Sequence, residues 1–230
     1  MKYKIFPLGD CALTVEFGSE ISAELNNHAL NLAHFFDENP FPGFIETVPA
    51  YASLSIFYDV SIVRKNYPEF PTAFAAISSL AENALLNAND YAANKPRRIE
   101  IPVFFDEEFA PDLEFVAAAN DLTPPEVVEI FLSRIYRVYL LGFLPGFSYM
   151  GELDERITAP RKPTPRLKVP RGSVGIAGRQ TGIYSLESPG GWQIIGATNV
   201  ELFTPEAAQP TLLQAGDLVK FYKQDFLNKR

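Results

Sequence analysis

The 230-residue sequence is poor in the side chains that do most covalent and metal chemistry: it has one cysteine, two histidines and a single tryptophan. A lone Cys11 excludes an intramolecular disulfide. His28 and His34 share one helical segment with no cysteine beside them, so the usual ligand spacings are missing and no metal site is assigned. No Gly-x-Ser-x-Gly element is present: "GFSYMG" has the wrong spacing, and nothing C-terminal to His34 can serve as an imidazole base. "GIAGRQTG" offers glycines and a threonine without the lysine of a phosphate loop. No apolar run approaches the roughly 18 residues of a membrane helix, and "MKYKIFPLGD" lacks the basic and apolar regions of a signal peptide. A membrane role is therefore not expected, and a reducing cytoplasm is. A formal charge of -8 argues against nonspecific binding to nucleic acid or anionic lipid.

What is present is a globular composition, 47% hydrophobic and 21% charged, on a chain long enough for two small domains with separate cores. "KYKIFPL" and "CALTVEF" predict a hairpin around Gly9-Asp10. Ile21, Leu25, His28, Leu32 and Phe35 recur at helical spacing, with His28 at the edge of the core. "FIETVPAYASLSIFYD" supplies two further β-rich runs. Phe74, Ile77, Leu80, Ala81 and Leu85 mark a second helix after Pro71. Residues 1–94 thus form a small α+β domain, and the polar, aperiodic "NANDYAANKPRR" is the linker, with the boundary near residue 95. After "RIEIPVFF" and a short helix in "DLEFVAAAN", "TPPEVVEIFLSRI" carries a capping box, Thr123 with Glu126. Beyond Arg137, glycines, prolines and short β-prone runs predict a mainly β barrel over residues 95–230.

Charge is segregated within that second domain. Between Arg156 and Leu186 lie Arg156, Arg161, Lys162, Arg166, Lys168, Arg171 and Arg179 with no acidic residue, which leaves about -15 for the rest of the chain. The run is either a solvated basic loop or a field that attracts an anion. Pro160, Pro163, Pro165 and Pro170 stiffen the backbone around Arg161 and Arg166, the better candidates for carboxylate or phosphate recognition. Further on, "LESPGGWQIIG" bends at Pro189-Gly190-Gly191 directly before the only tryptophan. Trp192 is either the apolar wall of a ligand site beside an uncovered backbone or a plug in the barrel. "GFLPGFSYMG" concentrates Phe143, Leu144, Phe147, Tyr149 and Met150 in one short stretch, as an interface or as barrel core.

Residues 136–196 closely resemble the family of the 5-oxoprolinase B-subunit, also called the Kip inhibitor or allophanate hydrolase subunit 1 family. The resemblance is carried by Gly142-Phe143-Leu144-Pro145-Gly146-Phe147, the Pro-Arg pairs 160-161 and 165-166, Gly172-Ser173-Val174, Gly178, Gln180-Thr181-Gly182-Ile183-Tyr184 and Ser188-Pro189-Gly190-Gly191-Trp192. The start "IFPLGDCALTVEFG" resembles it more loosely.

The resemblance implies an α+β N-terminal domain followed by a mainly-β cyclophilin-like barrel. It implies partners, homologues of the 5-oxoprolinase C-subunit and A-subunit, with which ATP drives the opening of 5-oxo-L-proline to L-glutamate. Which of the three binds ATP does not follow from it. Some members are described as inhibitors of a sensor histidine kinase, so such a kinase is an alternative partner. A prolyl isomerase role rests on fold analogy alone, without cyclophilin active-site motifs. In this framework Arg161 and Arg166 are expected to bind an anionic part of the substrate, Gln180, Thr181 and Tyr184 to orient it and Trp192 to wall it. Phe143, Phe147 and Tyr149 are expected at a partner interface, and no residue is assigned as catalytic. One departure stands out: where family members often carry a histidine before Tyr-Arg-Val-Tyr, this chain has Phe131.

Overall fold

The computed structural model describes residues 2–87 and 96–225. The chain divides into two compact units, Met1–Pro96 and Arg97–Arg230; the expected boundary near residue 95 and most of the linker lie outside the described residues. No helix among the described residues is long and apolar enough to cross a membrane.

The first unit runs β1 (Lys4–Pro7), β2 (Ala12–Glu16), α1 (Ala23–Glu38), β3 (Phe44–Pro49), β4 (Ser53–Tyr58), α2 (Val60–Asn66) and α3 (Ala73–Asn87). Its sheet is antiparallel in the order β1-β2-β4-β3. The opening hairpin turns through Gly9 at a positive φ of 66°, a conformation glycine adopts without a β-carbon penalty. Helix α1 turns to the core a face that includes the expected Leu32, with Leu25 and Phe35 partly buried against the same cluster, and extends it to smaller residues. Asn26, Ala29, Leu32, Ala33 and Phe36 are buried, whereas Ile21 precedes the helix and is exposed. The alanines permit close approach to the sheet, and the Asn26 amide is satisfied by donating to the Ala50 carbonyl at 3.0 Å. His28 lies half-buried at the core edge, its ring 5.8 Å from that of Phe17. Helix α2, too short to stand out by periodicity, starts where the Asp59 carboxylate accepts from the Ile62 N–H at 2.9 Å.

The second unit contains β5 (Arg98–Val103), α4 (Leu113–Ala119), α5 (Pro124–Ser133), β6 (Tyr136–Leu141), β7 (Ser148–Met150), β8 (Arg166–Val169), β9 (Ser173–Ala177), β10 (Gln180–Ile183), β11 (Ser188–Gly190), β12 (Gln193–Ala197) and β13 (Leu218–Lys223). Seven strands form one mixed sheet in the order β12-β9-β10-β7-β6-β13-β5, parallel only between β5 and β13. Its two edges meet where Phe104 and Ala197 exchange backbone hydrogen bonds of 2.8 and 3.0 Å. The sheet therefore curls into a nearly closed barrel. A separate ribbon pairs β11 with β8.

Strand alternation explains the two cores of this unit. Val174, Ile176, Ile183, Ile195, Val138 and Met150 point into the barrel. Ala177, Trp192, Ile194 and Phe147 belong to a second cluster with Val169 and Tyr184, built on the other face of the same strands. Helix α5 begins at the expected capping box: the Thr123 N–H donates to Glu126 Oε2 at 2.8 Å. It ends near Phe131, fully buried and stacked on Phe221 with ring centroids 5.0 Å apart. Phenylalanine at position 131 thus packs the barrel core.

Candidate functional site

Two glycines make the bed of the site. Gly175 on β9 and Gly182 on β10 are direct cross-strand partners, and the indole of Trp192 lies over both. A β-carbon at 175 would stand 3.1 Å from Trp192 Cβ, and one at 182 would stand 3.2 Å from Trp192 Cζ3 and 3.1 Å from Phe147 Cζ. Only a sheet surface without side chains lets a flat ring settle this closely. Trp192 therefore does not plug the barrel; it covers the opposite face. Phe147 meets the indole edge-on at 5.6 Å, Tyr149 does so at 5.8 Å, and Tyr184 packs against Phe147 at 5.2 Å. These offset and edge-to-face arrangements are the ones aromatic quadrupoles favour.

The Ser188-Pro189-Gly190-Gly191 segment folds round Tyr184. The tyrosine hydroxyl lies in the space where a Gly190 side chain would begin, and it receives a hydrogen bond from the Trp192 backbone. Burial pushes the Tyr184 hydroxyl above the usual phenol range, so it stays protonated and neutral. A strap of residues 160–166 crosses the bend. The Lys162 N–H donates to the Gly191 carbonyl at 2.7 Å, and Arg166 pairs with Gly190 across the ribbon. The prolines in the strap have no N–H to satisfy and restrict its backbone.

The basic run is largely neutralised by carboxylates from elsewhere in the chain. Arg156 pairs with Asp154, Lys162 and Arg166 with Asp112, Lys168 with Glu187, Arg171 with Glu201 and Arg179 with Glu155. Arg161 alone of the seven has no carboxylate partner among the described residues. Its guanidinium carbon instead lies 5.9 Å from the Trp192 ring centroid, within cation–π range. An arginine left without an internal anion at an aromatic surface is a ready receptor for an external one.

Asp112, which sequence reasoning did not single out, organises the strap. It stands just before α4 and is only 4% exposed. Its Oδ1 accepts from Arg166 Nη2 at 2.6 Å and Lys162 Nζ at 3.1 Å, and its Oδ2 accepts from the Ile194 N–H at 2.7 Å. Burial alone would raise its pKa; the hydrogen bonds from Arg166, Ile194 and Lys162 outweigh that and hold the carboxyl below the usual range. No local motif marks the residue, because its partners lie 50 to 82 positions away in sequence.

The residues expected at the site are thus only partly brought together. Arg161, Arg166, Tyr184, Trp192 and Tyr149 converge on one face. Thr181 is fully buried and its hydroxyl donates to the Gly175 carbonyl at 2.9 Å, a bond within the sheet. Gln180 is half-buried at the start of β10, opposite Ala177. The proposed interface trio divides as well: Phe143 is 60% exposed, whereas Phe147 is 1% exposed and sits in the chain's own aromatic cluster.

The same chain has recognisable relatives. Residues 3–213 match the model of the carboxyltransferase domain, subdomains C and D. The chain belongs to this family. Among carboxyltransferase-domain relatives, the 5-oxoprolinase B-subunit of Bacillus subtilis (strain 168) is 48% identical over 225 residues, 97% of this chain and 93% of that protein. The 5-oxoprolinase B-subunit of Escherichia coli O157:H7 is 37% identical over 96% of both chains. The crystal structure of TTHA0988 superposes with a TM-score of 0.78 at 35% identity, over 93% of this chain and 40% of that longer one. The carboxyltransferase-domain fold therefore occurs both as a chain of this size and within a larger polypeptide.

Proposed function

We propose that this chain is a cytoplasmic subunit of an ATP-dependent 5-oxoprolinase and that its Arg161–Trp192 face supplies part of an active site completed by partner subunits. The observation that carries the reading is Arg161, a guanidinium with no carboxylate partner among the described residues, held over the indole. The substrate, 5-oxo-L-proline, combines a carboxylate with a small flat lactam ring; the face offers the Arg161 cation for the first and the half-buried Tyr149 ring, beside the buried Trp192, for the second.

The similarity to proteins named as the B-subunit of 5-oxoprolinase extends over nearly the whole chain. A subunit designation and a family defined by subdomains C and D both point to an incomplete unit that works with others. Homologues of the A-subunit and the C-subunit are the partners in this reading. The residues here do not form a phosphate loop: Gln180-Thr181-Gly182 runs within strand β10, and the Thr181 hydroxyl is committed to the backbone. No step through ATP is therefore assigned to this chain. Its own contribution is to bind the substrate carboxylate, pack the ring and exclude water from one side.

Reconstitution tests this directly. The pure chain, the partners alone and the mixture are assayed for 5-oxo-L-proline-dependent ATP hydrolysis and L-glutamate formation. Turnover is expected only in the mixture; turnover by the isolated chain would overturn the composite site.

A further inference from the structure

The consecutive residues Trp192 and Gln193 engage Arg161 and the residue before it. The indole centroid lies 5.9 Å from the guanidinium carbon, and Gln193 Nε2 donates to the Pro160 carbonyl at 2.8 Å. That carbonyl and the Arg161 N–H belong to one planar peptide unit, so holding its oxygen fixes the plane from which the Arg161 side chain departs. The flanking residues are held as well. The Gly178 N–H donates to the Ala159 carbonyl at 2.7 Å, and the Lys162 N–H to the Gly191 carbonyl at 2.7 Å. Of these three contacts only the one to Pro160 is made by a side chain, so a substitution can remove it and leave the two backbone bonds in place.

Gln193 is a poor choice for packing alone. It is 2% exposed, and its Oε1 is buried without a hydrogen-bond partner among the described residues. An unpaired buried acceptor is unfavourable, and an apolar side chain of similar length would avoid it. What the amide provides is the bond to Pro160, which lies in the exposed strap and outside the hydrophobic core. We infer that Gln193 is the positioning residue for Arg161: through the Pro160 carbonyl it sets the peptide plane that carries the guanidinium onto Trp192. Gln193 acts through Arg161 and has no contact with substrate of its own. Its consequence for turnover rests on the oxoprolinase reading; its effect on Arg161 does not.

Two measurements test this. In the full chain alone, nuclear magnetic resonance reads the Arg161 side chain, whose δ-methylene and Nε–H signals are displaced by the ring current of the indole and are identified by their loss in Arg161→Ala. Gln193→Met keeps the length of the side chain and removes the donor. It is expected to return those signals toward the positions of an exposed arginine in a chain that circular dichroism shows to be folded; Gln193→Leu gives the same reading if the methionine variant does not fold. In the reconstituted complex, Gln193→Met is expected to raise the KM for 5-oxo-L-proline about two- to tenfold, the range of one neutral hydrogen bond, with kcat retained. It should add nothing to Arg161→Ala, because the two substitutions remove the same contact. Arg161 signals that stay at their wild-type positions in a folded Gln193 variant would overturn the inference. So would a KM increase of equal size with and without Arg161, or a KM unaltered by Gln193→Met where Arg161→Ala raises it. The oxoprolinase reading fails by a different result, absence of turnover by the wild-type mixture, and the resonance measurement on the chain alone decides the role of Gln193 in that case too.

Discussion

The Tyr184 hydroxyl occupies the space in which a side chain at Gly190 would begin, and a β-carbon there would also stand 2.8 Å from Tyr184 Cε1 and Cζ. Tyr184 is buried among Phe147, Trp192 and Val169 and has no room to retreat. Gly190→Ala is therefore expected to destabilise the barrel unit by about 1–3 kcal/mol, the usual range for overpacking. Tyr184→Phe in the same chain is expected to recover part of the loss. A double-mutant cycle by urea denaturation measures the coupling; simple additivity would show that the two residues do not meet.

Phe143 and Phe147 are expected to separate stability from assembly. Phe147→Ala empties the centre of the aromatic cluster and should cost about 3–5 kcal/mol of folding stability. Phe143 touches Phe147 edge-on at 5.5 Å but is exposed. Phe143→Ala should leave the unfolding midpoint nearly unchanged while weakening co-purification with a C-subunit homologue, as truncation of an exposed aromatic does at an interface. Calorimetry and pull-down on both variants distinguish the two residues.

Arg161 and Lys168 lie in the same basic run but in different surroundings. Lys168 pairs with Glu187, both well exposed, and such surface pairs contribute little. In the reconstituted complex Arg161→Ala is expected to raise the KM for 5-oxo-L-proline about tenfold or more. Lys168→Ala should stay close to wild type. Equal, small effects would return the segment to a solvated basic loop.

Asp112 gives the stability a defined pH dependence. Its folded-state pKa is depressed by its hydrogen bonds, so the unfolded chain takes up the proton more readily. The stabilisation is therefore fully present at neutral pH and is lost as pH falls through the ordinary carboxylate range near about 4 toward the lower folded value. Thermal midpoints should fall on acidification, and Asp112→Asn should be less stable at pH 7 with a shallower acid limb. An acid limb identical in variant and wild type would contradict this.

Much of the architecture follows from local pattern. Alternation along β9 and β10 assigns Val174, Ile176 and Ile183 to one face, Gly9 permits the first turn, and Thr123 with Glu126 starts α5, because each depends on residues a few positions apart. Helix α1 shows the limit: side-chain size pointed to Leu32, Leu25 and Phe35, which do pack on the core, but not to the small residues Ala29 and Ala33 that are buried with them. At the site, the sequence by itself supplied the stiff basic strap, the Gly-Gly bend and the single indole. Tertiary structure alone decided which charges remain available. Glu155, Glu187 and Glu201 neutralise arginines and lysines along the run, and Asp112 reaches Arg166 from 54 positions away. Arg161 is left with Trp192. Charge pairing falls off with distance in space, not along the chain, so a run of like charges in sequence leaves open which of its members is free to meet a ligand.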